Sequence, residues 1–206
     1  MMVEKSDLML SSTYWSDRYR SHNTPWDLGK VSSPLKSIID SLEDKSLKIL
    51  IPGAGNSHEA RYLLEKGFTR VKVLDYAMEP LELLSRQVGN SQSIRVLQED
   101  FFNSSGSYDL ILEQTFFCAL ELRFRESYKN KMLELLNHNG SLRGVLFNFQ
   151  GARKEPPYGG SKEEYRLLFK EGFHILRLDE SQISEPSRKG KELLIHLKKR
   201  SNDRNT

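Results

Sequence analysis

The sequence predicts an α/β fold: a mostly parallel sheet of seven strands, the last antiparallel, with helices on both faces. Three observations carry this. From Leu47 onward, apolar β-rich runs alternate with segments of helical period. The first run, LKILIP, breaks at Pro52-Gly53-Ala54-Gly55, and a helical pattern follows at once. The last two strand-like runs, HILRLDE and KELLIHLKK, are joined only by the polar SQISEPSRKG, which is too short and too rich in breakers for a helical crossover.

Taken in order, Leu47–Pro52 is the first strand and Ser57–Lys66 the helix after it, with Gly67 placed to cap its end. Arg70–Asp75 is β-rich, Met78–Val88 helical and Ser93–Asp100 the third strand. Tyr108–Gln114 is the fourth strand, and Arg125–Gly140 an amphipathic helix with a glycine stop. Ser141–Phe149 makes the fifth strand and Ser161–Phe173 a capped helix. His174–Glu180 and Lys191–Lys199 then form an antiparallel pair at one edge of the sheet. Ahead of the sheet, residues 1–46 hold Tyr14, Trp15, Tyr19 and Trp26 and a helix around Leu35–Leu42. With no repeats and no low-complexity linker, the chain reads as one domain over 1–206. In it, 1–46 is a cap on the same body, 47–199 the Rossmann-like core and 200–206 a flexible tail.

Composition narrows the function. The 206 residues suffice to bury roughly 70% of the unfolded surface. A net charge of +3, with no basic stripe interleaved with aromatics, argues against nucleic acid. The single cysteine, Cys118, excludes an internal disulfide and a cysteine metal cluster, and the histidines lack ligand spacing, so no metal is expected. No apolar run approaches the roughly 18 residues of a membrane span, and the N-terminus lacks the basic and apolar regions of a secretory signal. A cytoplasmic monomer acting on a small molecule is the expectation.

Ligands of an open parallel sheet sit outside the carboxyl ends of its strands, where Gly53 and Gly55 lie. A dinucleotide would want G-x-G-x-x-G, and His58 stands at the third glycine position, so a nicotinamide cofactor is disfavoured. A nucleoside without a pyrophosphate needs only the close approach. S-adenosylmethionine is one: its ribose diol wants a carboxylate at the second strand end, where Asp75 stands, and its adenine a polar contact beside an apolar one at the third, where Asp100 and Phe101 stand. Taken singly, Asp75 could be a helix N-cap, Asp100 could cap a turn and a Gly-Ala-Gly can be a bare tight turn. Together at successive strand ends, with an antiparallel last strand, they point to a class I methyltransferase. Cys118, in an apolar run, reads as a packed hydrophobe, and His58 as a surface or capping residue.

The stretches YWSDRYRSHNTPWDLG, LIPGAGNSHEA, VLD, EDFF, YDLILEQTFFCAL, PPYGGS and RKGKE resemble, in that order, the thiopurine S-methyltransferase superfamily. The likeness is nearest to its thiol and halide methyltransferase branch, as found in plants, and runs from about Tyr14 to Lys199. The resemblance implies that aromatics of the N-terminal segment close over the cofactor, with Trp15 and Trp26 at tryptophan positions and Tyr19 where plant relatives have another. It implies Gly53 as the cofactor glycine, Asp75 as the ribose carboxylate, and Asp100 and Phe101 as adenine contacts, with Gly55 in the same turn. Gln114 stands where plant relatives carry tyrosine and the mammalian thiopurine enzymes arginine, at a position facing cofactor or acceptor. Phe117, Tyr158 and Arg188 are acceptor-pocket candidates.

The expected reaction is methyl transfer from S-adenosylmethionine to a small thiol, sulfide or halide by in-line displacement, leaving S-adenosylhomocysteine. Such acceptors are anionic or readily ionised, so no strong base is required and no residue is assigned as catalytic. The alternatives are a methyltransferase for a metalloid oxyanion or a carboxylic acid, and a protein that binds the cofactor without turnover.

Overall fold

The computed structural model describes residues 11–151 and 155–201. Strands β1 (Ile49–Pro52), β2 (Val71–Asp75), β3 (Ile94–Gln98), β4 (Tyr108–Gln114), β5 (Leu136–Phe147), β6 (Phe173–Glu180) and β7 (Glu192–Lys199) form a sheet in the order β3-β2-β1-β4-β5-β7-β6. β1 to β5 pair in parallel, and β7 runs antiparallel to both β5 and β6. The short joint between β6 and β7 allows nothing but antiparallel pairing, as the sequence predicts. What the sequence does not tell is that β7 slots between β5 and β6, leaving β6 at the edge.

Alternate side chains of each strand feed two cores, as a period of two requires. On one face, Leu50, Ile111, Leu142 and Ile195 pack with Tyr128 and Met132 of α5 (Arg125–Leu135) and Tyr165 and Phe169 of α6 (Lys162–Phe169). On the other, Ile49, Ile51, Val73 and Leu112 meet Leu35 and Ile39 of α2 (Ser33–Asp40), Ala60 and Leu63 of α3 (His58–Glu65), and Leu81 and Leu84 of α4 (Met78–Val88). Each of these fully buried large aliphatics contributes about 1.5–3 kcal/mol by leaving water. Helix α1 (Ser12–Arg20) starts on Ser11, whose hydroxyl accepts the Tyr14 N–H, and is tied to α4 by Arg20 Nε 2.6 Å from Glu79. Helix α6 has a full capping box, Ser161 with Glu164.

Two boundaries differ from the sequence reading. The helix expected over Arg125–Gly140 ends at Leu135, because Leu136 is already buried in β5 opposite Tyr108. The next pair in register is Leu110 with Ser141, so residues 137–140 form an irregularity in the strand, with Asn139 in the left-handed region at φ 67°. The helical period carries no mark of that switch, and the glycine sits in the strand's irregular stretch. The helix expected over Ser161–Phe173 ends at Phe169, and Phe173 is already the first residue of β6. Of the expected tail 200–206, Arg200 donates its backbone N–H to the Gly172 carbonyl and its Nε to that of Phe173, while positions 202–206 lie outside the described residues. Among the described residues no helix is long and apolar enough to cross a membrane, and no cluster of three or more metal-ligating side chains occurs.

Candidate active site

Strand order reverses between β1 and β4, and the turn after β1 opens there onto a cavity of about 630 Å³. Its walls bring together Gly53 after β1, Asp75 and Tyr76 after β2, Asp100 and Phe101 after β3, and Thr115 and Phe116 after β4. Asp75 is nearly buried, its Oδ2 accepting the Gly55 N–H and its Oδ1 the Ala77 N–H, both at 2.8 Å. The carboxylate thus fixes the glycine turn to the start of α4. Burial pushes its pKa above the usual range, against those bonds. Asp100 accepts the Phe102 N–H at 2.9 Å, capping the short 3-10 turn Phe101–Asn103, so its capping reading and its place in the cavity wall are both realised.

The two glycines make room for side chains of this same chain. A Cβ on Gly53 would run into the Phe116 ring, and one on Gly55 would come 2.8 Å from the Tyr19 hydroxyl. Both glycines have positive φ, 56° and 52°, where any other residue is strained. The close approach at the end of the first strand is therefore made by aromatics that themselves line the cavity.

Residues 11–31 form its roof. Trp15, Tyr19 and Trp26 meet edge to face, with Trp15–Trp26 centroids 5.5 Å and Tyr19–Trp26 centroids 5.8 Å apart. Trp26 Nε1 donates to the Tyr19 hydroxyl at 3.3 Å, and the Arg18 guanidinium lies over the Trp26 ring at 5.3 Å. Burial, then the Asp75 charge, hold the Tyr19 phenol far above its ordinary pKa, so it stays a neutral hydroxyl. Asp27 fastens the roof to the glycine turn: its carboxylate accepts from Asn56, from the Gly29 N–H and, at 2.7 Å, faces Nε2 of His58. Burial works against ionisation of Asp27, but those bonds outweigh it and lower its pKa. His58 thus serves as a latch partner between cap and turn.

The far end of the cavity, under β5 and β7, is lined by Cys118, Leu120, Phe147, Phe149, Pro156, Pro157, Arg188 and Lys191. Arg188 is buried, donating Nη2 to the Trp26 carbonyl at 2.6 Å with Nη1 3.4 Å from Glu192. Cys118 donates to the Thr115 carbonyl, and burial followed by the Glu113 charge raises its thiol far above the usual range, which leaves it inert. The loop bearing Phe116 and Cys118 is clamped by Glu113, fully buried at the end of β4. Its Oε1 accepts the Phe116 and Phe117 N–H groups at 2.9 and 3.0 Å, and Tyr128 donates to Oε2 at 2.6 Å.

Of the residues singled out from sequence, Trp15, Tyr19, Trp26, Gly53, Asp75, Asp100, Phe101 and Arg188 line this one cavity. Gly55 and Gln114 line a small polar recess behind the glycine turn, where Ser32 donates its hydroxyl to Gln114 Oε1. Phe117 lies in the core among Tyr128, Tyr165 and Phe169, and its neighbour Phe116 faces the cavity instead. Glu113 holds the two amides at the start of FFCA, and Phe117–Ala119 wind into a 3-10 turn that turns the two rings to different sides. Tyr158 is buried outside the cavity lining, its N–H donated to the Cys118 carbonyl at 2.7 Å. The sequence reading missed Phe116 and Glu113. An acid inside the apolar run LILEQ was the available signal for the latter.

A family model described as thiopurine S-methyltransferase (TPMT) matches residues 10–202. The chain belongs to that family. Among its relatives, "Probable thiol methyltransferase 2" of Arabidopsis thaliana is 29% identical over 197 residues, spanning 93% of this chain and 87% of that protein. Thiocyanate methyltransferase 1 of Brassica oleracea is 29% identical over 191 residues, covering 90% and 84%. Among solved structures, the 1,6-didemethyltoxoflavin-N1-methyltransferase of Burkholderia thailandensis, with bound S-adenosylhomocysteine, superposes with a TM-score of 0.77 at 16% identity over 98% of this chain and 92% of that one. A TehB-like methyltransferase of Corynebacterium glutamicum gives 0.65 at 18% identity, over 92% and 98%. These likenesses fix the fold. As a TPMT-family member the protein is an S-adenosylmethionine-dependent methyltransferase, and its cavity suits that molecule in donor chemistry: a carboxylate at each of two strand ends, an aromatic roof and a pocket of small-molecule size.

Proposed function

We propose that this TPMT-family enzyme methylates a small soft nucleophile, a thiol, sulfide or halide, by in-line displacement. The carrying observation is the far end of the cavity, where Arg188 and Lys191 stand among Phe147, Phe149, Leu120 and Cys118. Among the described residues that end presents cations and apolar rings. Such a wall favours an anionic, weakly hydrated nucleophile such as a thiolate, and offers no carboxylate or imidazole to deprotonate a hard one. The thiol and thiocyanate relatives support the same class.

S-adenosylmethionine supplies a methyl group already activated on a sulfonium centre. The residues proposed to hold it are Asp75 for the ribose, Asp100 and Phe101 for the adenine, and the turn of Gly53 and Gly55 for close backbone approach. Trp15, Tyr19 and Trp26 close above them, excluding water and favouring a cationic centre by their ring faces. Gln114 acts from the recess behind the turn, holding Ser32 at the start of α2. Arg188 both anchors the roof through the Trp26 carbonyl and sets the potential at the acceptor end. Orientation carries the rate, since effective molarities of about 10⁵ M and above come from positioning alone.

The test is release of S-adenosylhomocysteine from purified protein and S-adenosylmethionine, with sulfide, a small organic thiol, a thiopurine, thiocyanate or iodide added singly. Release dependent on one of these is expected. Release with none of them, in protein that still binds the cofactor by calorimetry, rules out the acceptor class.

A further inference from the structure

Midway along β5, away from the cavity, the sheet face that carries α2, α3 and α4 turns basic. Register places Arg143 of β5 opposite His196 of β7, and His196 opposite Arg177 of β6. Residues directly opposite share a face, so these three form one row across the strands. Two residues along, Ser141, Lys198 and His174 form the next. The adjoining row on the other side, Val145, Leu194 and Asp179, identifies the face, because Val145 and Leu194 pack in the core beneath α2. Three permanent cations and two imidazoles thus lie together, Arg143, His196 and Lys198 half-buried and Arg177 and His174 exposed. None of the five lines the cavity.

The cluster has no acid of its own. Among the described residues, no carboxylate lies within ion-pair distance of Arg143, Arg177 or Lys198. Asp179 in the adjoining row is ion-paired with Lys162 at 2.9 Å and feels the Arg177 charge only as a lesser influence. Arg143 reaches only the Ser41 hydroxyl, at 3.4 Å, and its Nε is buried without a hydrogen-bond partner. The cations act on one another: burial and then Arg177 lower the Arg143 pKa, and burial followed by Arg143 and Lys198 lowers that of His196. Like charges gathered on a partly desolvated face, with an unused donor among them, are relieved by a bound anion. Strands stand about 4.8 Å apart, so the row spans roughly 10 Å and two rows roughly 7 Å. That footprint holds one or two tetrahedral groups, not the extended run of phosphates along a nucleic acid.

We propose that Arg143, Arg177 and Lys198, with His196 between them, form a binding site for a small multivalent oxyanion, the phosphate or sulfate group of a small ligand, separate from the methyl-transfer cavity.

The probes are inorganic pyrophosphate, phosphate and sulfate, titrated singly by calorimetry at ionic strength held constant with sodium chloride. S-adenosylhomocysteine is kept saturating so that the cavity is filled. Saturable binding of at least one anion is expected, accompanied by a shift of the His196 ring resonances. Preference for pyrophosphate and phosphate over sulfate would assign the phosphate source, and the reverse order the sulfate one. R177E, at an exposed position, and K198E, at a half-buried one, should each weaken binding about tenfold or more, the scale of a charge-assisted hydrogen bond, and leave methyl transfer measured without the anion unchanged. No saturable binding to the wild type, or equal affinity in wild type and both variants, overturns the proposal.

Discussion

Glu113 offers a quantitative test of how the cavity wall is held. Its carboxyl is fully buried, and burial pushes its pKa up to about 7 from the ordinary 4.5, against the pull of the Tyr128 hydroxyl and the Phe117 and Phe116 N–H groups. Between those two values the folded protein holds a proton that the unfolded chain has released, so stability falls as pH rises from about 4.5 to about 7 and is level beyond. At about 1.4 kcal/mol per pH unit across that window, the loss comes to about 3 kcal/mol. Glu113→Gln imitates the protonated form: its carbonyl still accepts from the two amides, and its NH₂ can donate to Tyr128. Asp75 and Glu59 are also raised by burial and slope the same way, but they are common to both proteins and cancel in the difference. Urea denaturation of wild type and variant from pH 4.5 to 8 should give curves that start close together, with Glu113→Gln gaining about 3 kcal/mol on the wild type by pH 7.5. Curves that stay parallel throughout would refute the reasoning. Glu113 would then be ionised across the range, the three bonds having fully offset its burial.

Gly53→Ala forces a Cβ into the Phe116 ring and a side chain into the left-handed region. It should cost about 1–2 kcal/mol of folding stability from the backbone alone and weaken S-adenosylmethionine binding by calorimetry more than Gly89→Ala, where a Cβ meets open space. Asp27→Ala unfastens the roof from Asn56 and His58. With each bond worth about 1 kcal/mol, the cofactor Kd should rise about tenfold or more while chemical denaturation shows a smaller loss, and an unchanged Kd would show that the latch does not matter to closure. Arg188→Met leaves the buried Glu192 with only Ser184 and frees the Trp26 carbonyl, so stability should fall by about 3 kcal/mol. If the acceptor is anionic, Arg188→Met should raise its KM far more than that of a neutral acceptor assayed beside it.

The fold was legible from Leu47 onward because a parallel sheet writes itself twice, in apolar runs of strand length and in the helical periods between them. It blurred where tertiary pairing overrode local pattern. Nothing in RESYKNKMLELLNHNG marks Leu136 as a strand residue, since only Tyr108 across the ladder makes it one. Nor can the order of two edge strands be read from their own sequences, because the insertion of β7 depends on what β5 leaves unpaired. The site divided in the same way. Gly53, Asp75, Asp100 and Phe101 were found because strand ends converge on one crevice in this topology, so position along the chain stands in for position in space. Phe117 and Phe116 are neighbours of one type, and sequence says nothing of which side of a 3-10 turn each ring takes.

The glycine turn binds these two scales together. From sequence alone, two glycines at a strand end signify close approach by something bound. In the structure the approach is made by Phe116 from the loop after β4 and by Tyr19 from the N-terminal cap, segments 63 and 34 residues from Gly53 along the chain. Buried carboxylates at strand ends set the Phe116 wall and the turn it meets, the first through Glu113 and the second through Asp75. Small residues at that turn therefore shape the cavity before any ligand enters it: they let the Phe116 wall close on Gly53 and the Tyr19 roof on Gly55. A larger residue at Gly53 would displace the Phe116 wall even where the ligand never touches the substituted position, which is why its effect on binding and the effect of losing the Glu113 clamp should resemble each other.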